Sequence, residues 1–357
     1  MEDKNVTRKS RKDKYSLIAV IALSVALIAV LVLSLIKPGE VRKKTYYDLF
    51  DTVSTIYDYS GKSDKKFERT VKELEELFYY YDALFDIYAP AEGVTNLYDV
   101  NREATKAPVK VDSELLDFLE YSIEIHTLTH GEVNIAMGAV LSLWHDARTA
   151  ASENPINAKP PSKEALTEAA RHCDITKIII DRDNSTVFLA DPLMSLDVGA
   201  IAKGYATERA AELLESKKIK GYALDMGGNL RTLGTKSDGS GWRTGVKNPD
   251  AFAETPYVYY LTLKNLSAVT SGDYERYFIS DGVRYHHIID RDTLMPASHF
   301  TSVTIVVEDS GLADALSTAL FCMDYESGKA IIEAIDGAFA VWVEKDGTVK
   351  TAGVEPK

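Results

Sequence analysis

With 357 residues, of which 45% are hydrophobic and 27% charged, the chain has the composition of a globular protein, unlike disordered or collagen-like chains. Its formal net charge of −13 argues against binding to a nucleic-acid backbone. Its two cysteines, Cys173 and Cys322, are too few for a disulfide framework or a multi-cysteine metal cluster. A single disulfide between them is the alternative to the two unpaired, buried thiols that we expect.

Residues 17–36 form an uncharged apolar run that is long enough to cross a bilayer. A helix of this length spans about 30 Å at about 1.5 Å per residue. A cleaved signal peptide, the alternative, would have a shorter apolar core. Six Lys or Arg side chains precede the run and four follow it before residue 45. We therefore expect a cytoplasmic tail at 1–16, an uncleaved anchor at 17–36, a linker at 37–44 and an extracytoplasmic domain at 45–357.

Hydrophobic periodicity predicts a mixture of helices and strands after the anchor. Residues 45–59 are typical of a strand, whereas 63–81 and 112–129 have the three- to four-residue spacing of helices. Three prolines mark a loop at 151–162, and a polar turn at 181–184 between two β-branched runs predicts a hairpin. Further helices are expected from Asp197 to Leu214 and at about 311–323, with strands between them. This order favours an α+β fold over a strict βαβ repeat.

The segment from Ser195 to Ala206 predicts a strand that leads through a turn of small residues into a helix at Thr207–Leu214. Glycine and alanine allow a ligand to approach the backbone closely, and a helix N-terminus with Lys203 in its first turn favours phosphate. The segment is not a Walker A loop, because Lys203 precedes Gly204 and no Ser or Thr follows. A tight helix entry without a ligand is the alternative.

Asp314 and Thr318 lie four residues apart on an otherwise apolar helix and therefore share one face. A carboxylate there is costly without a partner. One carboxylate with other oxygen ligands suits Mg²⁺, with Mn²⁺ as a second choice, whereas zinc prefers Cys or several His. The alternative is an ion pair between Asp314 and a Lys or Arg elsewhere in the chain.

Two neighbouring histidines, His286 and His287, come after the tip of a predicted hairpin, and Asp281 and Gly282 form that tip. Alternation along a strand places the two rings on opposite faces. One of them is expected to be structural, and the pattern alone does not rank them.

Taken together and in this order, seven segments resemble the ApbE family of FAD:protein FMN transferases. The resemblance extends from about residue 50 to residue 339. The segments are 85–88 before 101–102, 131–138 leading to 143–144, 197–206, 227–231, 270–274, 287–290 and 313–318.

The resemblance implies an ApbE-like, T-fold-related α+β domain of mixed sheets with packed helices, here preceded by one transmembrane helix. Members of this family bind FAD and Mg²⁺ and transfer FMN to a threonine of an exported flavoprotein, releasing AMP. His287 matches the histidine that assists proton transfer. The residues that match the metal ligands are Ala200 (through its carbonyl), Asp314 and Thr318. The residues that match FAD contacts are Tyr88, Glu132, Val133, Asn134, Asp197, Lys203 and Ile289.

The chain departs from the family pattern at four positions. Asn134 and Asn229 stand where the family usually has Asp, and Arg291 and Leu294 replace a Pro and a Gly in the turn after Asp290. None of these changes removes a predicted metal ligand.

The resemblance leaves two other functions open. A Mg²⁺-dependent FAD pyrophosphatase would use water in place of threonine, and a surface flavin-binding protein would not catalyse a reaction. Lys203, Asp314 and Thr318 argue against the passive binder, which has no need of a metal-binding pair. The expected partners are FAD and a flavin-carrying protein of a membrane or extracellular electron-transfer system.

Overall fold

The computed structural model describes residues 41–250 and 252–356, and the chain from Arg42 onward forms one compact unit. The predicted anchor at 17–36 lies outside the described residues and stays a prediction. Within them, none of the helices has both the length and the apolar character that a membrane span requires. Eight α-helices are described: α1 (Asp64–Phe85), α2 (Leu97–Glu103), α3 (Ser113–Leu128), α4 (Gly138–Glu153), α5 (Lys163–Ala169), α6 (Ala202–Ser216), α7 (Ser310–Cys322) and α8 (Tyr325–Ala334).

Fifteen strands are described in the same part of the chain. They are β1 (Arg42–Tyr46), β2 (Ser54–Asp58), β3 (Val109–Lys110), β4 (Ile178–Asp181), β5 (Thr186–Leu189), β6 (Tyr222–Met226), β7 (Asn229–Leu233), β8 (Trp242–Lys247), β9 (Tyr257–Leu263), β10 (Ser267–Gly272), β11 (Tyr277–Ser280), β12 (Val283–His286), β13 (Ser302–Val307), β14 (Phe339–Val343) and β15 (Val349–Gly353).

The largest sheet has eight strands in the order β1-β2-β6-β7-β10-β13-β14-β15. Three smaller sheets are β3-β5-β4, β8-β9 and the hairpin β11-β12. The paired strands of residues 41–250 and 252–356 run antiparallel throughout. The fold is therefore α+β, as the sequence predicts, and it is assembled from hairpins and longer antiparallel returns.

Both faces of the eight-stranded sheet are covered by apolar packing. Every residue of β13 and β14 is buried, which is the pattern of strands in the middle of a core. Helices α6 and α7 pack against each other, and α7 lies against β10 and β13. Trp242, Leu261 and Leu263 of the β8-β9 hairpin pack with Val306 and Val341 in a separate apolar cluster. The helix entry at Asp197 and the helix that carries Asp314 are thus held side by side.

Most of the predicted elements are found with shifted ends. The helices predicted at 63–81 and 112–129 are α1 and α3, and the predicted hairpin around 181–184 is β4-β5. Both Cys173 and Cys322 are free thiols. The prediction of one strand at 45–59 is wrong. The chain forms β1 and β2 with a helical turn between them, where Phe50 and Asp51 both have φ of 52°. The predicted loop at 151–162 begins only after Glu153, because α4 extends to that residue.

Candidate active site

The turn that precedes α6 is held by hydrogen bonds from two other segments. The Leu196 amide donates to Asn101 Oδ1 at 2.7 Å, and Asn101 Nδ2 donates to the Leu196 carbonyl at 2.9 Å. The Asp197 amide donates to the Ile135 carbonyl at 2.8 Å, and Asp197 Oδ1 accepts from the Gly199 amide at 2.9 Å. The backbone at Asp197 is therefore fixed before α6 begins.

Helices α6 and α7 approach most closely at Gly204. A Cβ atom at this position would lie 2.4 Å from the Cβ of Asp314 and 2.4 Å from the Ser310 carbonyl, so only glycine fits. The Gly204 amide donates to Asp314 Oδ2 at 2.8 Å instead of to the carbonyl four residues earlier, which is that of Ala200. The carbonyl of Ala200 is thus left for another partner, as the predicted metal site requires.

Asp314 is 4% exposed, and Lys203 Nζ lies 3.6 Å from its Oδ2 atom. Burial raises the pKa of the Asp314 carboxyl, and the charge of Lys203 opposes this shift in part. The ion pair that the sequence left as an alternative is therefore present. A carboxylate has about four lone-pair sites, and Lys203 faces only one of the two Asp314 oxygen atoms. The remaining lone pairs are available to a metal ion.

The third predicted ligand, Thr318, follows Asp314 by one helical turn on α7. Its hydroxyl lies 3.4 Å from Ser271 Oγ, which also contacts Ser317 Oγ at 2.8 Å. The three predicted ligands are a carboxylate, a hydroxyl and a carbonyl, which are oxygen types that Mg²⁺ and Mn²⁺ prefer. No cluster of three or more His, Cys, Asp or Glu side chains that could hold a metal occurs in the described part of the chain. The predicted set contains one carboxylate and stays a prediction.

The loop that carries Glu132, Val133 and Asn134 is shaped by its own hydrogen bonds. Asn134 Nδ2 donates to the Cys173 carbonyl at 2.9 Å, and its Oδ1 accepts from the Ala136 amide at 2.9 Å. Asn134 can satisfy a donor and an acceptor here, whereas an ionised Asp could only accept. This difference gives a physical reason for the departure from the family pattern.

The second departure, Arg291, lies against the same loop. Its Nε is 3.3 Å from Glu132 Oε1, and its guanidinium covers Gly131, whose φ is +90°. Burial raises the pKa of Glu132, and the positive charge of Arg291 opposes this shift. The third departure, Asn229, is fully buried and accepts a hydrogen bond from the Ser310 hydroxyl at the start of α7.

The two neighbouring histidines, His286 and His287, have different environments in the structure. His286 is buried, its Nε2 lies 2.9 Å from the Ala297 carbonyl, and its Nδ1 accepts from the Ile288 amide at 3.3 Å. His286 is therefore structural. The Nδ1 atom of His287 is buried and has no hydrogen-bond partner among the described residues. Ile289 is 8% exposed and packs in the same apolar cluster as Met137 and Trp144.

His287 lies in a field of positive charge. Burial first, and then the charges of Arg276, Lys203 and Arg148, lower the pKa of His287 to about 3. The ring is therefore neutral at physiological pH and able to accept a proton. Neither Arg148 nor Arg276 forms an ion pair with another described residue. Burial also lowers the pKa of Arg148, which is the cost of a guanidinium without a counter-ion.

Three residues of this site were not predicted from the sequence: His145, Arg148 and Arg276. His145 and Arg148 are three residues apart on α4, so they share a face beside the Trp144 segment of the family pattern. That spacing is the signal that could have indicated them. With the predicted His287 they line a small cleft whose walls are formed by Leu141, Trp144, His145, Arg148, Arg276, Phe278, Tyr285, His286 and His287.

A wider cavity of about 590 Å³ lies elsewhere and contains none of the predicted site residues. It is lined by residues of α1, α3 and α6. Its lining is acidic, with Glu114, Asp117 and Glu212 beside a single arginine, Arg209, which already contacts Glu212 at 2.6 Å. The cleft at His287 contains two guanidinium groups without an ion-pair partner among the described residues, although Arg276 donates to the Asp51 carbonyl at 3.0 Å. It is the better candidate for a site that binds an anion.

Comparison with known proteins places this site in a family context. A family model described as "ApbE family" matches residues 45–342. An FAD:protein FMN transferase of Treponema pallidum (strain Nichols) is 33% identical over 331 residues, which cover 88% of this chain and 89% of that protein. One from Klebsiella pneumoniae (strain 342) is 32% identical over 262 residues, which cover 73% of this chain and 78% of the other.

Solved structures with the same fold superpose on most of the chain. The ApbE protein of Thermotoga maritima MSB8 superposes with a TM-score of 0.76 at 30% identity, covering 88% of this chain and 97% of that one. The flavin transferase ApbE of Vibrio cholerae gives a TM-score of 0.72 at 26% identity, covering 90% of this chain and 98% of the other. The family model, which matches residues 45–342, includes every segment that forms the site described above.

Proposed function

The chain belongs to the ApbE family, and we propose that it transfers FMN from FAD to a threonine hydroxyl of an acceptor flavoprotein. In this reaction the threonine oxygen attacks the phosphorus atom on the FMN side of the diphosphate. A phosphoester bond to threonine forms, the bond to the AMP phosphate breaks, and AMP leaves. The threonine proton passes to a base.

The observation that carries this proposal is the positive charge around His287, of which Arg148 and Arg276 have no ion-pair partner among the described residues. The described part of the chain is acidic overall, yet this one ring lies among Arg276, Lys203 and Arg148, whose charges add to the effect of burial in lowering its pKa. A local field of this kind suits a dianionic diphosphate. We assign the remaining FAD contacts to Tyr88, Glu132, Val133, Asn134, Asp197 and Ile289.

The oxygen atoms of Asp314, Thr318 and Ala200 would hold the Mg²⁺ ion, for which Mn²⁺ could substitute. When bound, such an ion neutralises negative charge on a diphosphate. The chain itself contributes the closeness of α6 and α7 at Gly204, which brings Lys203 to the buried carboxylate. Lys203 and the metal would then face the same phosphate groups.

His287 is the residue we assign to proton transfer. Its neutral ring has an unpartnered nitrogen, so it can accept the threonine proton. A pKa near 3 gives little driving force for proton uptake in the free protein. A bound diphosphate would raise this pKa, because it compensates the positive charges that lower it.

The decisive experiment incubates the full chain with FAD, Mg²⁺ and a threonine-containing acceptor, with an EDTA-treated sample beside it. Transfer gives a fluorescent acceptor band in a denaturing gel and one AMP for each FMN attached. AMP and free FMN without a labelled acceptor would identify a pyrophosphatase. Intact FAD in every sample would identify a passive flavin-binding protein.

We further propose that the acceptor is an exported flavoprotein of a membrane or extracellular electron-transfer system. This rests on the apolar run at 17–36, which would hold residues 45–357 on the extracytoplasmic side of the cell membrane. A catalytic domain tethered there can reach only acceptors that are exported or membrane-bound.

A further inference from the structure

His145 contacts two residues that we assign to FAD binding. The Tyr88 hydroxyl lies 3.1 Å from His145 Nδ1, and Asp197 Oδ2 lies 3.6 Å from His145 Nε2. The three residues come from the loop after α1, from α4 and from the turn before α6. His145 is thus the point at which three segments distant in sequence meet beside the cleft.

The two partners of His145 differ in how firmly they are held. Asp197 belongs to the turn fixed by Asn101 and Ile135, and its side chain is 8% exposed. Tyr88 is 63% exposed, and among the described residues its side chain has a hydrogen bond with His145. The Tyr88 hydroxyl is therefore linked to the rigid turn through His145.

The partners also define the proton positions on the ring. A phenol beside a neutral imidazole nitrogen donates its proton, so Nδ1 of His145 is the acceptor. The other nitrogen, Nε2, then carries the hydrogen and directs it toward the Asp197 carboxylate. In this tautomer Tyr88 donates a hydrogen bond to His145, and the N–H of His145 faces the Asp197 carboxylate at 3.6 Å, an electrostatic contact longer than a hydrogen bond.

We propose that His145 is a positioning residue of the FAD site, which holds the Tyr88 ring in the orientation that contacts bound FAD. The inference rests on the proposed function, because it assumes that FAD binds beside Tyr88. Without His145 the exposed ring would have to be ordered when FAD binds, and the cost would appear as weaker binding.

The first test measures FAD affinity of the full chain by quenching of flavin fluorescence. His145→Ala and Tyr88→Phe should each weaken binding about 3- to 10-fold, the effect of one neutral hydrogen bond. The double variant should be little weaker than either single variant, because both changes remove the same bond. Losses that multiply, or an affinity of His145→Ala equal to that of the parent, would overturn the inference.

Two conservative variants separate the two contacts of the ring. The amide of Asn reaches the position of Nδ1, and that of Gln reaches the position of Nε2. His145→Asn should therefore accept from Tyr88 and restore most of the FAD affinity, whereas His145→Gln should not. Equal affinities of the two variants would contradict a role through Tyr88.

The matched control is His172→Ala. His172 is also partly buried and also pairs with a carboxylate, Asp191, at 2.8 Å, but it lines neither the cleft nor the turn before α6. Its loss should leave FAD affinity unchanged, and a decrease equal to that of His145→Ala would show a general structural effect. A parent chain that binds no FAD would overturn the proposed function, whereas a failed variant pattern in a parent that binds FAD would overturn this inference alone.

Discussion

At the residue scale, the carboxylate of Asp314 has two roles that substitutions can separate. It accepts the Gly204 amide and so joins α6 to α7, and it is the charged member of the proposed metal site. An Asp314→Ala change would leave the Gly204 amide without a partner in a buried position, at a cost of about 1–3 kcal/mol. An Asp314→Asn change keeps an acceptor oxygen and removes only the charge.

We therefore predict that Asp314→Asn abolishes FMN transfer while the fold persists. Loss of the metal ligand should reduce transfer by about 10²-fold or more, since a bound ion contributes several kcal/mol. In EDTA the melting temperature should stay close to that of the parent, because a buried charge is lost and the hydrogen bond is kept. Thermal unfolding tests whether the fold persists, and acceptor labelling tests whether FMN transfer is lost. Normal labelling by Asp314→Asn would remove Asp314 from the metal site.

The two neighbouring histidines form a natural pair of test and control. His287 has a free nitrogen in the cleft, whereas both nitrogens of His286 contact the backbone. His287→Ala should slow transfer by about 10²- to 10⁴-fold at saturating FAD and change FAD affinity far less. His286→Ala should lower stability, because it leaves the Ile288 amide and the Ala297 carbonyl unpaired.

The pH dependence follows from the low pKa of His287, about 3 in the free protein. The ring is already neutral at pH 5, so its protonation should not reduce kcat/KM between pH 8 and pH 5, a parameter that reports the free enzyme. Rate measurements across this range for the parent and for His287→Ala check the expectation. A decrease centred near pH 6.5 that disappears in His287→Ala would contradict the assigned environment of the ring.

At the scale of elements, the site depends on how closely α6 and α7 pack. Gly204→Ala would place a Cβ 2.4 Å from backbone and Cβ atoms of α7, so the helices would have to separate. We predict a loss of about 1–3 kcal/mol in unfolding free energy from overpacking, with weaker FAD binding because Lys203 moves with its helix. Denaturant unfolding and fluorescence titration measure the two effects.

Gly328→Ala in α8 is the matched control. Its Cβ would lie 3.1 Å from Leu320 Cγ and 3.4 Å from Trp342 Cζ2, which are side-chain atoms able to shift slightly. Alanine also favours a helix over glycine by up to about 1 kcal/mol. The control should stay within about 1 kcal/mol of the parent, and an equal loss in both variants would show that the α6–α7 contact has no special importance.

Local patterns explain which elements could be predicted from the sequence. The helices α1 and α3 have a regular apolar spacing, and the turn at Asp281 and Gly282 marks the β11-β12 hairpin. The break between β1 and β2 could not be predicted, because it requires a positive φ at Phe50, which a bulky residue rarely adopts. That turn is imposed by tertiary contacts, including the Phe50 amide that donates to Asp82 Oδ1 at 2.8 Å.

Local sequence patterns also predict only part of the candidate site. Asp197, Lys203 and Asp314 stand in recognisable segments, so the sequence could indicate them before any contact was known. The contact of Tyr88 with His145 joins residues 57 positions apart, and no periodicity carries that information. The positive field of Arg148 and Arg276 is likewise a product of folding, since it arises from α4 and from the turn after β10.

At the scale of the whole molecule, the charge distribution distinguishes the first 44 residues from the rest of the chain. Residues 1–44 hold ten Lys or Arg and four Asp or Glu, which leaves residues 45–357 with 31 basic and 50 acidic side chains. The site must therefore hold a diphosphate against a net charge of −19, and long-range repulsion should slow the approach of FAD at low ionic strength. The arginines near His287 compensate for this at short range.

The last prediction concerns the membrane. We expect residues 17–36 to stay attached as a single span with residues 45–357 outside the cytoplasm, because the run has no charge, spans about 30 Å as a helix and follows six basic side chains. Membrane fractions should contain the full-length chain, and mass spectrometry should find residues 1–16 in the same polypeptide. Protease added to intact spheroplasts should digest the catalytic domain, while a cytoplasmic marker protein survives until the cells are lysed. Recovery of a shortened, soluble chain that begins after residue 36 would show cleavage, and protection of the domain in intact spheroplasts would show the opposite orientation. The second result would also exclude exported acceptors, because a cytoplasmic active site could flavinylate proteins only before their export.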